Sequence, residues 1–196
     1  QVAKLVVNRS AGTAAEAASG KLDALPELWG LVARAGLMRP HRHQQLLNDW
    51  TARWSIRGVA AADLWLASQA APARTAKSAA AALAAMPKAF DPYAAHRLPR
   101  TSATLGRLYT LTHADAKLAL PHLRAATADC RVLDMPFAHT QAHLSLGRAL
   151  ERAGNKRLAC RAYQVVVDRW GNARPTSGSA HSAALSLNKL ACKLSP

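Results

Sequence analysis

Acidic residues are scarce in this sequence. Eleven Asp and Glu stand against 26 Lys and Arg, so the formal net charge at pH 7 is +15 over 196 residues. A charge of this size indicates a polyanionic neighbour, such as a nucleic acid, an acidic protein or an anionic membrane surface. A basic composition inherited from a high-GC genome, which raises arginine and alanine together, is the simpler alternative.

Long hydrophobic runs and metal-binding cysteine patterns are also missing. The longest apolar run, at 79–86, is far shorter than the roughly 18–20 residues of a membrane-spanning helix, so no membrane span is predicted. The three cysteines, Cys130, Cys160 and Cys192, show no CxxC spacing. This spacing predicts neither a zinc site nor a haem attachment site.

No catalytic pattern is recognisable either. The acids are scattered, and we expect Glu151 and Asp168 to be solvent-facing helix residues; no Gly-x-Ser-x-Gly motif is present. His139 and His143 stand four residues apart, where two imidazoles on one helix face can share a metal, but no third ligand follows. We therefore expect a packed or solvated histidine pair, no metal, no cofactor, and a protein that is not an enzyme.

The residues that are abundant favour helix. Alanine and leucine dominate the apolar half of the composition, aromatic residues make up only 5%, and β-branched runs are nearly absent, which predicts an all-α fold. Pro40 is expected to end the first helix, and Pro121 to lie near the first turn of another. Helices are predicted over 22–37, 41–57, 59–70, 75–86, 101–113, 116–131 and 179–194, and as a pair joined by a turn at 153–155 over 139–170.

Four of the five tryptophans fall in the first third of the chain. Trp50 and Trp54 are one helical turn apart, with Trp29 before them and Trp65 after them. Such a group could form a platform on which nucleic-acid bases stack. A stripe of aromatic residues at helical spacing is more often part of the core, and both interpretations stand at this point.

The C-terminal half contains a repeat. Leu105-Gly106-Arg107 recurs as Leu146-Gly147-Arg148 and as Leu187-Asn188-Lys189, with 41 residues between successive copies. A period of this size is typical of α-solenoids, in which each helical hairpin buries its apolar face against the next. The third copy has only its first helix, as expected of a terminal cap.

These residues resemble the tetratricopeptide repeat. Its Leu-Gly-x-x-Tyr pattern is followed in the second helix by Ala-x-x-x-Phe/Tyr, and the matching residues are Leu105, Gly106 and Tyr109 with Ala119, Leu123 and Ala126, and Leu146, Gly147 and Leu150 with Ala159 and Tyr163. The resemblance implies a right-handed α-solenoid of helical hairpins with a C-terminal capping helix. The predicted organisation is an N-terminal arm at 1–20, a helical region at 21–96, repeats at 97–136 and 137–176, and the cap at 177–194.

A narrower resemblance covers residues 90–192. This part is similar to the C-terminal repeat regions of myxobacterial serine/threonine kinases, but it contains no Gly-rich loop, HRD or DFG motif, so kinase activity is not implied. For residues 22–58 a similarity to the RNA-binding helical repeats of plastids and mitochondria remains open.

The tetratricopeptide resemblance also implies a binding face, because the first helix of each hairpin lines the concave surface in that family. We call Arg107, Arg148 and Lys189, which follow the 41-residue step, the basic ladder. The implied function is a non-enzymatic scaffold or accessory subunit of a larger complex that binds an acidic segment; the alternative is a basic helical-repeat protein that binds RNA or the ribosome. The partner-binding residues predicted on this face are Arg100, Arg107, Gln141, Arg148, Arg152 and Lys189.

Two further hypotheses concern covalent processing. Cys160 and Cys192 occupy neighbouring helices of the predicted array, so they are expected to lie close enough for a disulfide in an oxidising compartment; the alternative is a pair of small buried apolar residues. The chain begins at Gln1 rather than Met, which suggests a processed N-terminus and export or organelle import, or a fragment.

Overall fold

The computed structural model describes residues 25–92, 99–113, 116–128 and 136–192. Every regular element in these ranges is helical, so the predicted all-α class is confirmed. The N-terminal arm predicted at 1–20 lies outside the described residues. No described helix has both the length and the apolar character needed to cross a membrane.

The helices fall into two compact units. The first contains the described residues up to Arg74 together with Ala81–Phe90, and the second contains Thr75–Ala80 and the described residues from Asp91 onward. In chain order the helices are α1 (Leu25–Arg34), α2 (Pro40–Ile56), α3 (Ala61–Trp65) continued by a π-helical turn (Leu66–Ala70), α4 (Ala76–Ala84), α5 (Pro99–Leu111), α6 (Ala116–Ala128), α7 (Pro136–Arg152), α8 (Lys156–Trp170) and α9 (Gly178–Lys189).

Tryptophans form the core of the first unit. Trp29, Trp50 and Trp54 are at most 4% exposed and pack with buried leucines of α1, α2 and α3. Trp65 is 3% exposed, and its indole N–H donates to the carbonyl of Ala82 at 2.7 Å. Since all four rings are enclosed, the core interpretation holds and they offer no platform for bases.

Pro40 has a different place from the one predicted. It is the first residue of α2 rather than the end of α1, which already stops at Arg34 before a turn with Gly36 at φ +71°. A proline fits the first helical position because its missing N–H has no partner within the helix there and its φ already suits a helix. The proline therefore starts the second helix.

Pro121 also departs from the prediction. It is the sixth residue of α6, inside the helix rather than near its first turn. A proline there removes one hydrogen bond to the carbonyl four residues earlier, at Lys117. Both Pro121 and Lys117 are exposed, on the side of the helix where water can solvate that carbonyl.

The second unit repeats one close helix–helix contact. A Cβ placed on Gly106 of α5 would lie 2.4 Å from Cγ of Leu123 on α6, and one placed on Gly147 of α7 would lie 2.5 Å from Cε1 of Tyr163 on α8. Leu123 and Tyr163 are both fully buried. Each first helix thus presents a glycine to a large side chain of its second helix, as expected from the repeated sequence pattern.

The turns that follow α5 and α7 also correspond. His113 has φ +57° and Gly154, 41 residues later, has φ +74°. The N–H of His113 donates to the carbonyl of Thr110, and the N–H of Gly154 to the carbonyl of Glu151. A residue in the left-handed region is a common way to end a helix, and glycine reaches it without strain. The two hairpins therefore begin their turns in the same way.

The last helix closes the core of α7 and α8. Ala183 and Leu187 of α9 pack with Tyr163 and Val166 of α8. α9 ends at Lys189, five residues before the predicted end, and Ala191 adopts φ +46°. This left-handed residue breaks the helical path, which the sequence pattern did not indicate.

The segment that follows α9 is joined covalently to α8. A disulfide joins Cys160 of α8 to Cys192, with their Cα atoms 5.8 Å apart. The predicted proximity of these two cysteines is confirmed, and the structure favours the bridge over two separate thiols. Cys130 lies outside the described residues.

We expect Gly147→Ala to destabilise the protein by about 1–3 kcal/mol, because the new methyl group would overlap the buried Tyr163 ring. Alanine is otherwise the better helix former by about 1 kcal/mol. Urea unfolding followed by circular dichroism measures the change. Gly178→Ala is the matched control, since a Cβ there meets nothing within 4 Å. A neutral or stabilising Gly147→Ala would contradict the close contact.

We expect at most one free thiol in the denatured, unreduced protein and three after reduction, because only Cys130 lies outside the bridge. The double variant Cys160→Ser/Cys192→Ser should be less stable by about 3–4 kcal/mol, since the bridge spans a separation of 32 residues. Thiol titration and thermal melting measure the two effects, with Cys130→Ser as control. Three free thiols before reduction would exclude the bridge.

Candidate partner-binding site

The residues predicted to bind a partner lie on three helices of the second unit. Arg100 and Arg107 are on α5, Arg148 and Arg152 on α7, and Lys189 on α9; α5 contacts α7, and α7 contacts α9. Arg100, Arg152 and Lys189 are exposed, whereas Arg107 and Arg148 are half-buried. Gln141, also on α7, is half-buried.

Two of these arginines connect neighbouring first helices. The Arg152 guanidinium of α7 donates to the carbonyl of Thr110 on α5. From the same face of α7, Nη2 of Arg148 donates to Oγ of Ser182 on α9 at 2.9 Å. Since a guanidinium carries five N–H donors, each side chain keeps donors beyond these contacts.

Glu151 lies among these cations; it was expected to be a solvent-facing helix residue, and it is only partly exposed. Its side chain is 22% exposed. Oε1 accepts from Nζ of Lys189 at 2.9 Å, and Oε2 accepts from the hydroxyl of Tyr163 at 2.9 Å. One carboxylate thus joins α7, α8 and α9.

The sequence held a signal for this contact. Tyr163 packs its ring on Gly147, and Glu151 stands one turn further along the same face of α7. A tyrosine ring lying along that face places its hydroxyl near the residue four positions after the glycine. Reading the repeat alone gave the ring position but not its hydroxyl partner.

The charges around Glu151 favour its ionised form. Burial acts to raise the pKa of Glu151, but the hydrogen bonds from Lys189 and Tyr163 and the nearby positive charges hold the pKa below its ordinary value. The pKa of Tyr163 is raised to about 12, by burial first and by its hydrogen bond to Glu151 second. At neutral pH the site therefore holds a carboxylate, a neutral phenol and an ammonium group.

The histidine pair at the start of α7 is engaged within the protein. His139 is buried; its Nε2 lies 3.2 Å from the carbonyl of Thr127, and its Nδ1 lies 2.7 Å from Nη1 of Arg169. Since arginine only donates, Nδ1 is the acceptor and Nε2 carries the proton. The His143 ring lies 4.8 Å from that of His139. Within the described ranges, no three His, Cys, Asp or Glu side chains are grouped as a metal site.

A separate set of cations lies on α8. Lys156, Arg157 and Arg161 are exposed, and the first turn of α8 contains no acidic residue. Cations near a helix N-terminus face the positive end of the helix dipole, which is unfavourable without an anion nearby. These residues form a second positive surface of the C-terminal unit.

Comparison with protein-family models, curated proteins and solved structures finds no match. The functional assignment therefore rests on the geometry of the chain itself.

We expect the protein to lose stability as the pH falls from 7 to 4, in part through His143. Burial, then the electrostatic effects of His139 and of the Arg169 guanidinium, lower the pKa of His143 from 6.5 to about 4. Between these values the unfolded chain binds the proton and the folded chain does not, so acid favours unfolding.

His143→Leu should reduce the difference in unfolding free energy between pH 7.5 and pH 4.5 by about 1–2 kcal/mol, after allowance for solvent around the half-buried ring. Urea unfolding at several pH values measures it. His181→Leu, an exposed site on α9, is the control. An unchanged pH dependence in the His143 variant would show that this ring titrates alike in both states.

Proposed function

We propose that the chain is a non-enzymatic helical-repeat module that binds an acidic protein segment within a larger complex. The proposed architecture is a right-handed solenoid resembling tetratricopeptide repeats, in which α5, α7 and α9 are the first helices and α9 is the cap. The matching glycine contacts of α5 with α6 and of α7 with α8 support it. So do the matching turns after α5 and α7.

The proposed ligand follows from the basic ladder. Arg107, Arg148 and Lys189 occupy equivalent positions of α5, α7 and α9, on helices that contact one another in sequence. Arginine suits the binding of carboxylates because its guanidinium is planar and permanently charged. Further polar side chains on α5 and α7 belong to the proposed site, namely Arg100, Gln141 and Arg152.

A single contact carries the proposal. Lys189 binds the carboxylate of Glu151 at 2.9 Å although its own side chain is 74% exposed. A ladder position thus binds a carboxylate within the protein itself, at a site that solvent and a partner can reach. An acidic segment offers the same group several times over.

The second candidate is a surface that binds RNA through its phosphates. The exposed cations Lys156, Arg157 and Arg161 on α8 favour it, because phosphate neutralisation supplies most of the non-specific affinity for nucleic acid. The buried tryptophans of the first unit provide no stacking platform. We therefore rank acidic protein above RNA.

We expect Arg107→Ala/Arg148→Ala to weaken binding of a glutamate-rich peptide by tenfold or more, or about 1.4 kcal/mol. Two well-formed contacts to charged groups account for at least this loss. Fluorescence anisotropy with a labelled 12-residue peptide measures the affinity, and circular dichroism checks that the helices remain.

Arg157→Ala/Arg161→Ala removes the same charge from α8 and is the matched control. The proposal expects this control to keep its peptide affinity within about twofold. A titration with single-stranded RNA at 50 and 200 mM salt runs in parallel. The proposal is contradicted if Arg107→Ala/Arg148→Ala leaves peptide binding unchanged. If, in addition, RNA binding depends steeply on salt and is lost in Arg157→Ala/Arg161→Ala, the function belongs to the α8 surface.

A further inference from the structure

One carboxylate lies within the proposed acidic-segment site. Going along the last turn and a half of α7, the charged residues are Arg148, Glu151 and Arg152. Arg148 and Arg152 donate to neighbouring helices, whereas Glu151 accepts from Lys189, the last member of the basic ladder. The charge of Lys189 is therefore already balanced in the free protein.

The two partners of Glu151 differ in how firmly they are held. Tyr163 is fully buried against Gly147, so its hydroxyl holds Oε2 of Glu151 from the interior of the protein. Lys189 ends α9, and 74% of its side chain is exposed, so its ammonium group is free to turn towards solvent. The ion pair is thus held at the Glu151 end and easily released at the Lys189 end.

We propose that Glu151 is an internal competitor of the acidic partner: it occupies Lys189 in the free protein, and the bound segment takes Lys189 over with one of its own carboxylates. This inference rests on the proposed function. Glu151 stays on Tyr163 during the exchange, and the side chain of Lys189 is the part that moves.

The exchange makes the site selective for several acids together. A single carboxylate that replaces Glu151 at Lys189 forms one ion pair and breaks another, and exposed ion pairs contribute little. A segment that also reaches Arg107 and Arg148 gains new contacts while it makes the exchange. Isolated acidic side chains on other proteins are therefore rejected, and closely spaced ones are bound.

The test is Glu151→Gln, probed with the 12-residue glutamate-rich peptide in fluorescence anisotropy. The glutamine keeps an acceptor for the Tyr163 hydroxyl but no longer holds Lys189 by charge. We expect the peptide to bind about three- to tenfold more tightly, with a steeper dependence on salt because one more cation is available.

Asp168→Asn is the matched control for net charge. Asp168 is exposed on α8, where it accepts from Nε2 of Gln164, and its substitution also raises the net charge by one. If Asp168→Asn tightens binding as much as Glu151→Gln, the effect is general electrostatic attraction and the competition is overturned.

The same substitution in a Lys189→Ala background completes the cycle. Competition for Lys189 requires that Glu151→Gln gains less than twofold once Lys189 is absent. A gain in affinity that persists in the Lys189→Ala background overturns the inference. An unchanged affinity in Glu151→Gln also overturns it; if Arg107→Ala/Arg148→Ala has lost binding in the same assay, the proposed function still stands. If neither the wild type nor Glu151→Gln binds the peptide, the proposed function fails and the inference fails with it.

Discussion

The C-terminal unit depends on the close approach of each first helix to its second helix. Gly147 leaves room for the Tyr163 ring and Gly106 for Leu123, at distances where a single methyl group does not fit. The Tyr163 ring packs against Gly147 of α7, its hydroxyl donates to Glu151, and Glu151 also accepts from Lys189 on the next helix. A packing constraint at one glycine therefore places the Glu151 carboxylate where the Lys189 ammonium group can reach it.

Features that repeat along the chain were predictable from the sequence, and those that depend on one tertiary contact were not. The helical composition, the 41-residue step and the proximity of Cys160 to Cys192 all follow from pattern and spacing. The contacts of Glu151 did not, since an acid on a helix is usually solvated, whereas this one is bound by the buried Tyr163 and by Lys189. The second helix was expected one residue later, and Pro40 was assigned to the end of the first helix because proline fits either just after one helix or at the beginning of the next.

Under the proposed function, the basic residues of the first helices contact neighbouring helices and also bind the partner. Arg152 and Arg148 stabilise the contacts of α7 with α5 and α9, so they are held in place before any partner arrives. Side chains that are already ordered lose less conformational entropy on binding, which favours affinity. The same contacts use some of the N–H donors of the two arginines, which leaves fewer for a partner. Lys189 differs, because its side chain is mostly exposed and would lose more conformational entropy on binding.

Because acids are scarce, the single carboxylate of Glu151 has a large effect on the charge of the basic ladder. With 26 basic and 11 acidic residues, the chain has fewer than half as many acids as cations. In a protein with balanced charges, many exchangeable ion pairs surround a binding face and no single acid controls it. Here Glu151 lies between the two arginines of α7 in sequence, and the hydroxyl of the buried Tyr163 holds its carboxylate. Its charge therefore acts on the basic ladder at short range, where salt screens it least. The selectivity of such a face depends on where its few acids lie more than on how many cations it has.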